Sequence, residues 1–144
     1  HRRARRVVLP VRVRLDDPRR GPGAAAMTRR VLVTGSRAWI DPVVIRTALR
    51  SEWSEGTAVL VTGCCPTGAD RLAEQIWVSW GGAVERHPAE WKRYGRTAGF
   101  RRNAEMVAAG ADVCLAFIRA RSSGATHTAE LAQAAGIPTR RYTN

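Results

Sequence analysis

Three short segments combine small, hydroxyl-bearing and cationic residues in a way suited to holding an anion. They are Gly35-Ser36-Arg37, Gly63-Cys64-Cys65-Pro66-Thr67-Gly68-Ala69-Asp70 and Arg121-Ser122-Ser123-Gly124-Ala125-Thr126. Glycine lets a phosphate approach the backbone, and a helix starting just after such a segment offers N–H groups with no earlier carbonyl to bond. None is a Walker A loop, since no Gly-Lys-Ser/Thr follows, and no GxGxxG fingerprint is present. Each alone is also what ordinary structural punctuation after a strand looks like. A fourth segment, residues 87–106 (HPAEWKRYGRTAGFRRNAEM), gathers Trp91, Lys92, Arg93, Tyr94, Arg96, Arg101 and Arg102 around Gly95 and Gly99. Aromatic rings beside guanidinium groups stack on a base and clamp a phosphate. The competing reading is a solvated basic helix with its tryptophan against the core.

Other chemistry is thin. Cys64, Cys65 and Cys114 are odd in number and two are adjacent, so they form no disulfide framework. Neither CxxC nor HxxxH occurs, and no metal site is expected. Reduced thiols fit a cytoplasmic location. Cys64 and Cys65 read as small fillers, with no base recognisable beside them. His127 reads as a base or ligand contact, or as an ordinary structural histidine. No cofactor is expected.

The elements that must position these residues follow from hydrophobic patterning. Short β-branched or apolar runs predict strands at 30–34, 58–62, 83–87, 112–117 and 138–142, the last at an edge. Asp41-Pro42 predicts a capped helix start, followed by Ile45, Leu49 and Trp53 on one face. A second helix presents Leu72, Ile76 and Trp80. A third, over 96–109, is expected to turn Phe100, Ala104 and Val107 inward. Ala98, Arg102 and Met106 then lie on the border between core and solvent. The last carries Leu131, Ala132 and Ala135 and stops at Gly136. This alternation predicts one Rossmann-like α/β domain, a mostly parallel sheet of about five strands with helices on both faces. Ligands of such sheets bind outside the carboxyl ends of the strands, so the three loops should converge there.

The chain has 144 residues, 44% of them hydrophobic, which suits one core. No apolar run approaches a membrane span, so no membrane partner is expected. Lys+Arg number 24 against 12 Asp+Glu, a net charge of +12 that favours polyanions. Residues 1–26 hold eight Arg and two Asp, so half of that surplus lies there and residues 27–144 carry the other +6. We expect residues 1–26 to be a basic, disordered leader or non-native extension, with the folded unit at 27–144 beginning at Met27. The alternative is a basic arm that grips nucleic acid.

The series RVLVTGSRAW, TGCCPTGADRLAEQIW, residues 87–106, DVCLAF and SSGATHTAELAQAAGIP resembles the YspA-type, YpsA-related SLOG domains. The resemblance covers nearly all of residues 30–142, and GADRLA and AGFRRNAEM are its most specific pieces. It implies a Rossmann-like fold and a nucleotide-derived ligand. The wider superfamily includes the LOG phosphoribohydrolases, which cleave an N-glycosidic bond of a nucleotide, and DprA-like proteins, which bind single-stranded DNA. In the LOG enzymes a helical Arg and the Glu of a PGGxGTxxE motif carry the active site. The resemblance assigns the first role to Arg102, just before Asn103. For the second, the loop reads SSGATHTAE, and Glu130 lies off register. Arg102 and Glu130 are therefore the candidate catalytic pair, and whether a reaction follows binding is left open.

The expected function is binding of a nucleotide-type small molecule, with N-glycosidic hydrolysis as an open addition. The candidate contacts are Gly35, Ser36 and Arg37 from the first loop and Gly63, Gly68 and Asp70 from the second. Trp91 and Asn103 come from the basic stretch, and Ser123, Gly124 and Thr126 from the last loop. The alternatives are a DprA-like nucleic-acid-binding protein using its basic surface, and an interaction module that kept the fold without the ligand. Homo-oligomerisation stays open.

Overall fold

Val31, Leu32 and Val33 are fully buried, as a strand covered on both faces requires. The computed structural model describes residues 6–8 as backbone and residues 28–144 in full. Six strands form one sheet: β1 (Arg6–Val8), β2 (Arg30–Gly35), β3 (Val59–Thr62), β4 (Ala83–Arg86), β5 (Val113–Ile118) and β6 (Thr139–Thr143). Their order is β1-β4-β3-β2-β5-β6. The strands β2 to β6 are mutually parallel, and their ends fall within one residue of the sequence expectation. β6 lies at the edge, as expected of the last strand.

The stretch expected to be a leader contributes β1, which runs antiparallel along β4 with Val7 opposite Glu85. The rest of that stretch lies outside the described residues.

Helices cover both faces. On one lie α1 (Pro42–Ser51) and α2 (Gly68–Ser79), whose Ile45, Leu49, Ala73 and Trp77 pack on Val31 and Val33. The expected cap is in place: the Asp41 carboxylate accepts the Val43 N–H at 2.9 Å, and Pro42 takes the first helical position. In α2 the buried face centres on Ala73, Ile76 and Trp77, with Leu72 and Trp80 half-buried beside it. Trp53 meets Trp77 and Trp80 edge-to-face there, and the latter two are tilted against each other. On the other face Leu32 packs on Met106 and Val107 of α4 (Ala98–Ala108) and Ala132 of α5 (Ser123–Ala134). A single turn, α3 (Trp91–Tyr94), precedes α4. No helix among the described residues is long and apolar enough to cross a membrane.

One expectation is corrected. The inward face of α4 is Ala98, Arg102, Asn103, Met106 and Val107, while Phe100 and Ala104 are exposed. Two polar residues occupy buried positions near the helix start, so a reading that sorts faces by hydrophobicity rotates the helix away from its true phase.

The polar ends of the sheet are tied by charge. Arg30 donates two hydrogen bonds to the Glu85 carboxylate at 2.9 and 2.8 Å, and His87 Nε2 lies 2.7 Å from it. These partners hold the Glu85 carboxyl well below the usual carboxylate range.

Candidate functional site

The chain order places a cavity before any side chain is considered. From β2 the crossovers run through α1 and α2 to β3 and β4 on one side, while β5 and β6 lie on the other. A crevice opens where the direction reverses, between the carboxyl ends of β2 and β5. There the structure has a cavity of about 410 Å³, walled by the loops after β2, β3 and β5 and by the start of α4.

The first two loops are packed back to back. A Cβ on Gly35 would come within 2.3 Å of Ala69 Cβ, so only glycine lets α2 sit this close to β2. Gly68 has φ +77° and its missing Cβ would lie 2.3 Å from the Ser36 carbonyl oxygen. Both conditions exclude a side chain. The Ala69 N–H then donates to that same carbonyl at 3.1 Å. The buried Ser36 hydroxyl donates to the Arg119 carbonyl at 3.0 Å and accepts the Arg119 N–H at 2.7 Å, joining the β2 and β5 loops.

The third wall is the start of α5. Its cap residue, Ser122, makes no side-chain capping bond, and the first cap contact is the Thr126 N–H donating to the Ser122 carbonyl at 3.1 Å. The N–H groups of Ser123, Gly124 and Ala125 thus have no acceptor among the described residues. Ser122, Ser123, Gly124 and Ala125 all line the cavity, and no atom lies within 4 Å of where a Gly124 Cβ would stand. Ala120 and Arg121 hold φ of 54° and 53° to turn the chain into this helix. Two consecutive left-handed non-glycine residues are a local strain of the kind found where a loop is shaped for a ligand.

Arg102, only 9% exposed, crosses the cavity floor. Its Nη1 donates to the Gly63 carbonyl and its Nε to Asn103 Oδ1 at 2.8 Å. Nη2 has no hydrogen-bond partner among the described residues. Asp70, 4% exposed in the first turn of α2, accepts the Gly63 N–H at 3.1 Å. Burial pushes its carboxyl up to about 6, against the opposing pull of Arg102, the Gly63 N–H and the Cys65 thiol. Burial and the Asp70 charge in turn push the Cys65 thiol up to about 11, which makes it a poor nucleophile.

The mouth is aromatic and basic. Trp91 is 49% exposed and lines the cavity, with the Arg37 guanidinium 5.8 Å from its ring centroid. Phe100, 46% exposed, also lines it and meets His127 edge-on. Arg101 and Arg93 lie over the Tyr94 ring at 4.3 and 5.0 Å.

Of the residues singled out in the sequence, the structure brings Gly35, Ser36, Arg37, Asp70, Trp91, Arg102, Asn103, Ser123 and Gly124 to the cavity wall. Gly63 and Gly68 lie behind the wall, supporting Arg102 and the Ser36 turn. Thr126 and Glu130 line a separate groove with His127, Arg121 and Arg141. His127 Nδ1 is buried without a hydrogen bond among the described residues. Cys65, Arg96 and Ser122 reach the cavity from segments singled out in the sequence without having been among the candidate contacts, and Phe100 and Arg119 reach it unexpected. Arg119 carried the signal used for the other loops, since it directly follows a strand.

The sheet is a doubly wound Rossmann-like one, with a cavity at its reversal point floored by a helical arginine. The chain belongs to the YspA, cpYpsA-related SLOG family, whose profile matches residues 29–94. It is 45% identical over 120 residues to the Gene 61 protein of Mycobacterium phage D29, covering 76% of this chain and 93% of that protein. Among solved structures, DNA processing protein A (DprA) from Streptococcus pneumoniae superimposes with a TM-score of 0.63. That match has 17% identity and covers 79% of this chain and 50% of the other, so the chain spans half the length of that protein. At this identity the likeness is one of fold.

Proposed function

We propose that the protein binds a nucleotide or nucleotide-derived ligand in the cavity between β2 and β5, with residues 27–144 as the working unit. The observation that carries this reading is the uncapped start of α5. Its N–H groups at Ser123, Gly124 and Ala125 border the same cavity as Arg102 and the half-exposed Trp91. Free N–H groups at a helix start suit a phosphate, a guanidinium adds a charged fork, and an exposed indole suits a base. The Arg37 and Arg96 side chains at the mouth add attraction for an anion.

Calorimetric titration of the full chain with AMP, GMP, CMP, UMP and ADP-ribose tests it. Binding of one of these should persist at about 150 mM salt, because contacts to the helix start are short-ranged. If none binds, the reading is wrong.

A second reading, single-stranded nucleic-acid binding, is favoured by the exposed Arg93, Arg96 and Arg101 set among Trp91, Tyr94 and Phe100. Aromatic platforms within a basic strip bind single strands without sequence preference. Tight binding of oligodeoxythymidylate at high salt, with no mononucleotide bound, would favour it over the first.

A further inference from the structure

Asp70 is the one carboxylate among the residues lining the cavity, and Arg37, Arg96, Arg102 and Arg119 share the wall with it. Gly63 sets its relation to Arg102. Asp70 Oδ2 accepts the Gly63 N–H at 3.1 Å, while the Gly63 carbonyl accepts from Arg102 Nη1. The acid and the guanidinium thus hold the two polar groups of one residue and, among the described residues, make no direct ion pair with each other. Asp70 leaves Arg102 Nη2 unoccupied, yet the two charges act on each other through space. An ionised carboxylate at this place works against an anionic ligand on the same wall. An asparagine would accept the Gly63 N–H as well, so that hydrogen bond does not require an acid here.

We infer that anion binding in this cavity is coupled to the uptake of a proton by Asp70, so that the ligand is held more tightly in mildly acid solution than at neutral pH. This rests on the nucleotide-binding reading above and adds a means of regulating that site. Ionised, Asp70 repels the phosphate and offsets part of the attraction of Arg102. Protonated, it leaves the four guanidinium groups of the wall unopposed. The coupling is reciprocal: an anion in the cavity strengthens the hold of Asp70 on its proton by the same factor by which the proton strengthens the hold on the anion.

The surroundings of Asp70 fit this role. It is 4% exposed, and burial pushes its carboxyl up to about 6, just below neutrality. Arg102 from α4, with the Gly63 N–H and the Cys65 thiol from the loop after β3, favours the ionised form. Glu74, one turn further along α2 and paired with Arg86 of β4, favours the protonated form. A bound anion acts in the same sense as Glu74 and tips the balance towards the proton.

The test titrates the full chain and its Asp70→Asn variant, which carries no charge at this position at any pH, with AMP, GMP, CMP, UMP and ADP-ribose in turn. The ionisation of each ligand is common to the two proteins and cancels in the ratio of their affinities. At about pH 7.5 the variant should bind about 10-fold more tightly than wild type, and at about pH 5 the two should agree within about 2-fold. A ratio that is the same at both pH values, or a variant that binds no more tightly at the higher one, overturns the coupling and leaves the binding reading standing. Absence of binding by both proteins at both pH values overturns both. Should the variant fail to fold, the Asp70 carboxyl carbon of wild type is followed by NMR against pH, with and without saturating ligand. Its midpoint should rise by about one pH unit on binding, and an unchanged midpoint overturns the coupling.

Discussion

Ser36 and Arg119, 83 residues apart, close on each other through two hydrogen bonds: the Ser36 hydroxyl accepts the Arg119 N–H and donates to the Arg119 carbonyl. That contact fixes the loops after β2 and β5 across the mouth of the cavity. Ser36→Ala removes both bonds and leaves partly buried polar groups on Arg119 unsatisfied. We expect a loss of roughly 1–3 kcal/mol of stability, read by urea denaturation. A midpoint unchanged from wild type would show that the two loops are held by other contacts.

Arg102 and Arg101 are neighbours with opposite environments. Arg102 is buried and forks between the Gly63 carbonyl and Asn103, whereas Arg101 is exposed over Tyr94. Lysine cannot make the two diverging bonds or present a second nitrogen to the cavity. Arg102→Lys should weaken the binding of a nucleotide ligand by roughly 1.5–3 kcal/mol, while Arg101→Ala changes it little. Titration calorimetry of both variants decides it, and equal affinities for wild type and Arg102→Lys would remove Arg102 from the site.

The raised Asp70 carboxyl has a consequence for stability. Its ordinary value is 3.8 and its folded value is about 6, so between those pH values the folded protein binds more protons than the unfolded chain. Stability contributed by this group therefore falls as pH rises through the window, by roughly 3 kcal/mol in all. Glu85 acts in the opposite sense: its lowered carboxyl contributes stability at neutral pH that is lost as the solution turns acid. Melting temperatures of wild type and Asp70→Asn across this range should diverge, the variant lacking the fall with rising pH. Parallel curves would contradict the burial of an ionisable Asp70.

Deleting residues 1–26 removes the three-residue strand β1 from the edge of β4 and eight arginines from the chain. So short a pairing contributes little, and we expect melting to stay cooperative and fall by no more than about 4 °C. Binding of oligodeoxythymidylate should weaken and become less sensitive to salt as the basic stretch is lost. A much larger thermal drop would make β1 an integral strand.

The parallel sheet was legible because strands buried on both faces leave continuous apolar runs such as VLVT and VCLAF. The start of α1 was legible because Asp41-Pro42 states a cap chemically. Loops after strands located the cavity, since the sheet's connectivity forces them to one edge. The floor was harder to read. Arg102 and Asn103 are buried and Phe100 is not, so polarity misassigned the face of α4. The buried arginine is stabilised by a carbonyl 39 positions earlier, a partner that no local pattern reveals. The separation of Glu130 from the cavity depends likewise on the phase of α5 against β5 and β6, which no short motif encodes.

Trp91 is also the odd member of the protein's five tryptophans. Trp39 and Trp77 are sealed in the core, and Trp53 and Trp80 are half-shielded in their edge-to-face group. Only the indole at the cavity mouth is exposed, over about half of its surface. The long-wavelength edge of the emission spectrum therefore belongs mainly to that one ring. An occupant stacked on it darkens or blue-shifts that edge while the short-wavelength side stays constant. The site thus carries its own optical gauge, able to follow filling and emptying in real time without an added dye.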